Sequence, residues 1–596
     1  MTTAPRTTNR RWLTAAFAAC IAGLALTPTA ANANGCIAHS ADADGTAAHP
    51  FLIENAANLQ CLRDNAPDYW TGQHFKQTAN IDLSAEPAWT STIGTVAEPF
   101  TGSYDGNGQT ITGLQVELTG SNAGLFGATS GATISNLTID DAAISIPAVE
   151  AYSGAAPLVG TANSSTVITN VHSSGTVQGQ AAGGIAGQAL NGTQIWSSSS
   201  SAVITGNDFG AGGLVGFAEI GVSITDSSAS GSVIGDIYVG GLVGAVRANS
   251  EVFYSYSTGD VTGRPNYQGG GEGGYVGGLV GAAIATASGS GNVIARSFAT
   301  GDVTATDPRT SNDPNLCGAC AGGLIGVTTE DGTEMPNVIA DSFASGTVTG
   351  GIAAGGLIGR NMGGAAGSAN STATIADSYS RSAVRGPENA TGAILGAMTE
   401  GIFNVTDTFW NRTDADDADV NSYGMRSTQA LMKTYAFYAN ATWDISDTSP
   451  TTKKWVSCAA HNDGYPFLQW YAAKQNWTCS PAPSNLFTVR ADGSSTTAVS
   501  SLITVPGAGK ASQTGTFSGS SSARSAKTVT ACRASKKVTK AGHYRLSCQL
   551  TSAARSARRK GSIRVSLRTT FTPTGGAART VTRTITLKKT SSGVTG

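Results

Sequence analysis

The chain has 596 residues, of which 76 are glycine, 40% are apolar and only 13% are charged. That length admits several domains and a large buried core, and the apolar share excludes a disordered chain. The glycine excess and low charge fit a turn-rich, β-rich extracellular protein better than a cytosolic enzyme.

Arg6, Arg10 and Arg11, the apolar run Leu13–Leu26 and the small-residue site Ala31-Asn32-Ala33 predict a secretory signal peptide over 1–33, cleaved after Ala33. Residues 34–90 read as an N-terminal cap. Within them NAANLQCLRDN (55–65) places Ala57, Leu59 and Leu62 behind the cap-like Asn55, which predicts a short helix pinned by Cys61. Asp105-Gly106-Asn107-Gly108 reads as a positive-φ turn rather than an acid site.

Residues 91–412 repeat. The five-residue core is AGLFG at Ala123, APLVG at Ala156, GGIAG at Gly183, GGLVG at Gly212, Gly240 and Gly277, GGLIG at Gly322 and Gly355, and GAILG at Gly392. The gaps between them are 33, 27, 29, 28, 37, 45, 33 and 37 residues. A fixed core with elastic gaps predicts stacked coils whose loops vary. A second half-motif follows most cores, as in ITNVHSSGTV (168–177), ITDSSASGSV (224–233) and VFYSYSTGDV (252–261), and its alternation is that of strands. One such unit cannot fold alone. Stacking places Leu242, Val243, Phe253 and Val261 in columns of like residues about 4.8 Å apart, while glycines flanking the core serve corners where a Cβ would clash or φ must be positive. The predicted fold is all-β, a parallel β-helix or related β-solenoid.

The core, together with FTGSYDGNGQTITGL (100–114), NAGLFG (122–127), FW (409–410), YGMRSTQALM (423–432) and YPFLQWY (465–471), resembles bacterial surface and secreted proteins carrying the GLUG motif. The resemblance covers roughly residues 70 to 472. It implies an exported, adhesin-like surface scaffold.

Residues 413–479 read as the C-terminal cap. Ser427–Tyr438 is expected to be helical behind a Ser N-cap, and Trp443, Trp455, Tyr465, Phe467 and Trp470 are expected to plug the end of the core. A linker spans 480–485. Residues 486–596 alternate Thr, Ser, Arg and Lys at period two, which predicts a basic Ig-like β-sandwich of about seven strands. From Ser480 onward 19 Lys and Arg face one acid, Asp492, a formal charge of +18. The body between the signal and this tail has 15 basic and 38 acidic residues, a formal −23. The two parts therefore face different electrostatic partners.

Eight cysteines follow the signal and fall in sequence-local pairs, Cys36 with Cys61, Cys317 with Cys320, Cys458 with Cys479 and Cys532 with Cys548. In an oxidising compartment they are expected to form four disulfides. Catalytic constellations are missing. There is no H-E-x-x-H, no G-x-S-x-G and no P-loop. The run DADDAD (414–419) lacks the Gly and terminal Glu of an EF-hand loop. The expectation is a non-catalytic protein without cofactor or metal, secreted or held at the cell surface without a membrane span. Its expected partners are an extracellular glycan or protein ligand and an anionic cell-wall polymer met by the basic domain. Nucleic acid is not expected, because the tail lacks interleaved aromatics. The alternative is a β-helix polysaccharide lyase or glycosidase, which would need a groove of facing carboxylates.

Overall fold

The computed structural model describes residue 37 and residues 43–66, 69–147, 153–264, 274–286, 291–305, 318–331, 336–363, 372–399, 402–411, 423–479, 484–518, 528–574, 576 and 578–590. The signal peptide, Cys36, Cys317 and the DADDAD run lie outside the described residues.

Each repeat core begins one strand of a nine-stranded, wholly parallel sheet whose neighbours follow chain order, from Phe126–Ser130 through Val243–Arg247 to Leu395–Met398. The Leu of the core, Leu214, Leu242, Leu279, Leu324 and Leu357 in successive rungs, is fully buried. Its N–H donates to the same residue one rung on, for example Leu242 N to Leu279 O at 2.9 Å. The remaining short strands of each rung stack likewise into a second, larger parallel sheet. This is the construction of a β-solenoid, and burying each such leucine stabilises it by roughly 1.5–3 kcal/mol.

Glycine is required in the core by close approach. A Cβ on Gly240 would lie 1.9 Å from Val243 O and 2.7 Å from Gly281 N. Positive φ recurs at the corner after the second-motif strand. There Asn136, Asn170, Ser197, Asp226, Tyr254, Arg296, Asp341, Asp377 and Asp407 all have φ between 40° and 55°. Asn and Asp dominate because they tolerate this region best among residues with a Cβ. Phe253 corrects the expected inner column. In the strand Glu251–Phe253 only Val252 is fully buried, so the alternation runs one residue out of step with the expectation and Phe253 faces outward. Asn107 and Gly108 have the positive φ expected of them, at 54° and 74°, but form a bulge within the strand Ser103–Thr112.

At the N-terminal end the helix Ala56–Asp64 is capped by Asn55, whose side chain accepts from Asn58 N, and it buries Leu59 and Leu62 in the solenoid core. The parallel ladder already starts at Phe51–Ile53, paired with His74–Gln77. At the other end the expected single helix is two, Gln429–Met432 and Tyr435–Asn440. The first is capped by Thr428, not by the preceding serine.

The C-terminal domain has seven strands, Thr488–Ser494, Ala498–Val505, Gly509–Ser518, Thr528–Val538, Gly542–Leu550, Ile563–Pro573 and Arg579–Leu587. All pairs are antiparallel, and the spatial order is first, second, fifth, fourth, third, sixth, seventh. The third and fourth strands pair along their length with one register shift between Gly515 and Thr516, so hydrogen bonds join all seven into one sheet. That sheet folds over itself. Phe487, beside its first strand, meets Phe571 of the sixth with ring centroids 5.9 Å apart, and Arg583 of the seventh donates to Ser501 of the second. A helix that alternation did not reveal, Ser552–Lys560, runs from the Thr551 N-cap to Gly561 and links the fifth and sixth strands. It carries the basic cluster, but Arg558 is buried and donates to the carbonyls of Lys588 and Ser495, which ties the helix to the sheet.

Disulfides join Cys458 to Cys479 and Cys532 to Cys548, the latter across the neighbouring fourth and fifth strands. Cys61 and Cys320 are disulfide-bonded as well. No helix among the described residues is long and apolar enough to cross a membrane.

Candidate functional site

The strand segment after each left-handed corner, a separate two-residue strand from Ser199–Ser200 onward, points one side chain outward, and register stacks these into a single column. Thr110, Thr138, His172, Ser199, Ser228, Tyr256, Phe298, Phe343, Tyr379 and Phe409 follow one another, rung on rung. The column changes character at Tyr256. Beyond it the rings lie parallel: Tyr256 and Phe298 are 4.9 Å apart at 7°, Phe298 and Phe343 4.8 Å at 6°, Phe343 and Tyr379 5.0 Å at 1°.

The C-terminal segment covers that aromatic half. It does not plug the end of the inner core. Instead it folds back along the flank, because the outward aromatics offer it an apolar strip to bury. Trp443, Trp455, Tyr465 and Leu468 form one cluster with Phe298, Phe343, Tyr379 and Phe409. Polar contacts fix the direction. Trp443 Nε1 donates to Asp407 O at 2.9 Å, Lys454 Nζ pairs with Asp341 at 2.8 Å, Tyr379 OH donates to Pro466 O at 2.7 Å, Trp470 Nε1 donates to Arg296 O at 2.9 Å, and Lys474 Nζ pairs with Asp226 at 2.5 Å.

Where this strap ends, an open cleft of about 450 Å³ begins. Tyr471, at a steep angle to Tyr256 with centroids 5.1 Å apart, walls one end. The floor is Ser199 and Ser228, and the far side is Thr138, Asp140, His172 and Ser174. Ser174 Oγ donates to Asp140, His172 Nδ1 lies 2.8 Å from Ser199 Oγ, and His172 Nε2 lies 3.3 Å from Asn170 Oδ1. Desolvation by the neighbouring rungs holds His172 below the usual imidazole pKa, so its ring is neutral at pH 7 and offers one donor and one acceptor. Among the described residues Asp140 is the single carboxylate lining the cleft.

Beside the column runs a polar ladder that alternation does not reveal. Ser198, Ser227, Ser255, Ser297, Ser342 and Ser378 are buried. In each pair the backbone N–H of one serine donates to the hydroxyl of the next at 3.1–3.3 Å, and each hydroxyl donates to the carbonyl two residues back at 2.7–2.8 Å. The signal was present as a Ser recurring after the corner in ITDSS, VFYSY and VIARS, but a buried Ser and a solvated one look alike in sequence.

The left-handed corners gather Asp341, Asp377 and Asp407 next to Asp444 of the strap. Burial first, then Asp341, Asp407 and Asp444, push the Asp377 carboxyl above its ordinary value, against the opposing influence of Lys454. No group of three His, Cys, Asp or Glu side chains suited to a metal ion occurs among the described residues.

Residues 235–262 match the family model of the GLUG motif. A stretch of 156 residues, 24% of the chain, is 37% identical to halomucin of Haloquadratum walsbyi but covers 2% of that protein. A stretch of 138 residues, 22% of the chain, is 36% identical to a "Putative Gly-rich membrane protein" of Evansella cellulosilytica and covers 15% of it. The chain therefore spans only a small part of either relative's length. Among solved structures, one described as "a putative immunoglobulin A1 protease from Bacteroides ovatus" aligns over 72% of this chain and 94% of its own, at 15% identity and a TM-score of 0.30, a value below that of a shared fold. Residues 235–262 thus carry a GLUG motif, and they hold the fifth of nine copies of one core that stand in a single parallel sheet.

Proposed function

We propose that the chain is an exported, non-catalytic surface scaffold of adhesin-like type, and that the cleft at the end of the strap binds a glycan. The observation that carries this reading is the lining of the cleft, in which two tyrosine rings stand beside serine and threonine hydroxyls, one carboxylate and a neutral imidazole. Sugars present apolar C–H faces to rings and hydroxyls to short polar side chains, and this lining supplies both. One carboxylate does not make the facing pair that glycoside hydrolysis uses. The names of the relatives, a halomucin and a Gly-rich membrane protein, support a place at the cell surface.

In the same reading the C-terminal domain is Ig-like. Its first, second, fifth and fourth strands correspond to one sheet of that fold and its third, sixth and seventh to the other, joined here by the hairpin between the third and fourth. With a formal +18 over the chain from Ser480, it holds the acidic array against an anionic wall polymer.

The test is a glycan array probed with the whole chain, beside Tyr471→Ala and Asp140→Asn. Binding that weakens about tenfold or more in both variants supports the cleft. Unchanged binding, binding to proteins alone, or release of reducing ends from the bound glycan overturns it.

A further inference from the structure

The outer face of the C-terminal sheet has a composition that solubility alone does not explain. Pairing register places Lys537 opposite Lys510, and Thr514 between Arg533 on one side and Arg568 on the other. Arg564 continues the same face of the sixth strand, and every second residue of the last strand from Thr580 to Thr586 is threonine on that face. All five cations are exposed. Their inward alternates, among them Ala511, Phe517, Val565, Leu567 and Phe571, are buried, which fixes the face.

Two features point to a ligand. Like charges directly opposite in a sheet destabilise it, yet Lys510 and Lys537 are kept opposite each other. The only acid from Ser480 onward, Asp492, lies on the first strand and is held by Arg545 of the fifth, so it neutralises none of the five. Strands roughly 4.8 Å apart put Arg533 and Arg568 about 10 Å from each other across Thr514, with hydroxyls between them.

We infer that this face is a binding surface for a phosphate-bearing polymer. Guanidinium forks meet phosphate oxygens two at a time, and serine and threonine hydroxyls donate to the oxygens that remain. A row of such sites suits a chain of phosphates better than a single ion. The inference rests on the wall-associated reading for its setting alone, since the surface binds or fails to bind in isolation from any cell.

The experiment uses the whole chain and long-chain inorganic polyphosphate, with dextran as the neutral polymer and polyglutamate as the carboxylate one. Replacing Lys510, Arg533, Lys537, Arg564 and Arg568 with serine is expected to abolish polyphosphate binding at physiological salt. It should also lower the slope of log affinity against log salt by about 3.5, at roughly 0.7 per lost contact. A second variant removes five other charges, Arg555, Arg559, Lys560, Lys588 and Lys589, and is expected to keep most of the affinity. Hydrogen exchange on the unaltered protein should show protection by polyphosphate confined to 510–516, 533–537 and 564–572. Equal loss in the two variants, protection elsewhere, or equal binding of polyglutamate overturns the assignment. So does the absence of binding by the unaltered chain, as when the acidic array of this chain occupies the face. None of these outcomes bears on the glycan cleft, whose variants are separate.

Discussion

One column of the solenoid holds two surfaces. From Thr110 to Ser228 its outward residues are small or polar and open to solvent, and from Tyr256 to Phe409 they are aromatic and covered by the strap. The backbone at both is parallel β with a left-handed corner before the outward residue, and on either side of the boundary, at Ser199–Ser200, Ser228–Ala229, Tyr256–Ser257 and Phe298–Ala299, it is the same two-residue strand. Side chain choice alone decides whether the flank of a rung is an exposed surface or an internal interface. A flank of stacked rings in water would be an apolar patch, and the chain removes it with its own C-terminal segment. Where the rings stop, the strap stops, and the boundary is the cleft.

The largest blow falls on both halves alike. Leu242→Asp puts a carboxylate into the inner column they share, and a loss above roughly 4 kcal/mol is expected, seen as a collapse of the denaturant midpoint for the whole array. Phe343→Ala separates the halves. It should cost about 3–5 kcal/mol in the covered half and expose residues 443–474 to limited proteolysis. Ser228→Ala at the corresponding open position should change stability by less than about 0.5 kcal/mol. Equal effects would show that the two halves are not distinct.

Ser297→Ala sharpens the comparison along the ladder behind the column. It strands the N–H of Ser255, which has no other acceptor in the ladder, and should cost about 1–3 kcal/mol without freeing the strap. The smallest effect is at Asp377. Its folded pKa lies above its unfolded one, so the stability it contributes is present in acid and is lost as pH rises through the folded value. Asp377→Asn should therefore raise the melting temperature at neutral pH and flatten its rise toward acid. A variant less stable at neutral pH would show that the carboxylate is held by a favourable contact.

The rungs were legible because glycine and leucine in the core answer a constraint that repeats without variation, the approach of one backbone to the next at Gly240 and Gly244. The strap was not. Period-two alternation tells which residues face out, but Tyr256, Phe298, Phe343 and Tyr379 sit 42, 45 and 36 residues apart, and nothing local says that a segment beyond residue 440 returns to cover them. The aromatics of that segment stand out in the sequence and their destination does not, because an end and a flank of a solenoid demand the same residues. Phe253 was misplaced by a single step, the smallest slip that reverses a face. The helix Ser552–Lys560 hid in a basic run, where a Thr cap and a terminal Gly are weak signs beside nine residues of Ser, Ala, Arg and Lys. The cleft was not legible, since His172, Ser199 and Tyr471 share no stretch of sequence.

The serine ladder makes length a matter of whole numbers. Each rung hands one hydroxyl to the rung before and takes one from the rung after, so a duplicated rung closes every bond it opens, and a deleted one leaves its neighbours able to join. Half a rung does neither. Genetic change in such an array is expected to proceed by complete units of roughly thirty residues, with the loops between cores absorbing all smaller insertions, and the length of the array is set by how many times one unit has been copied.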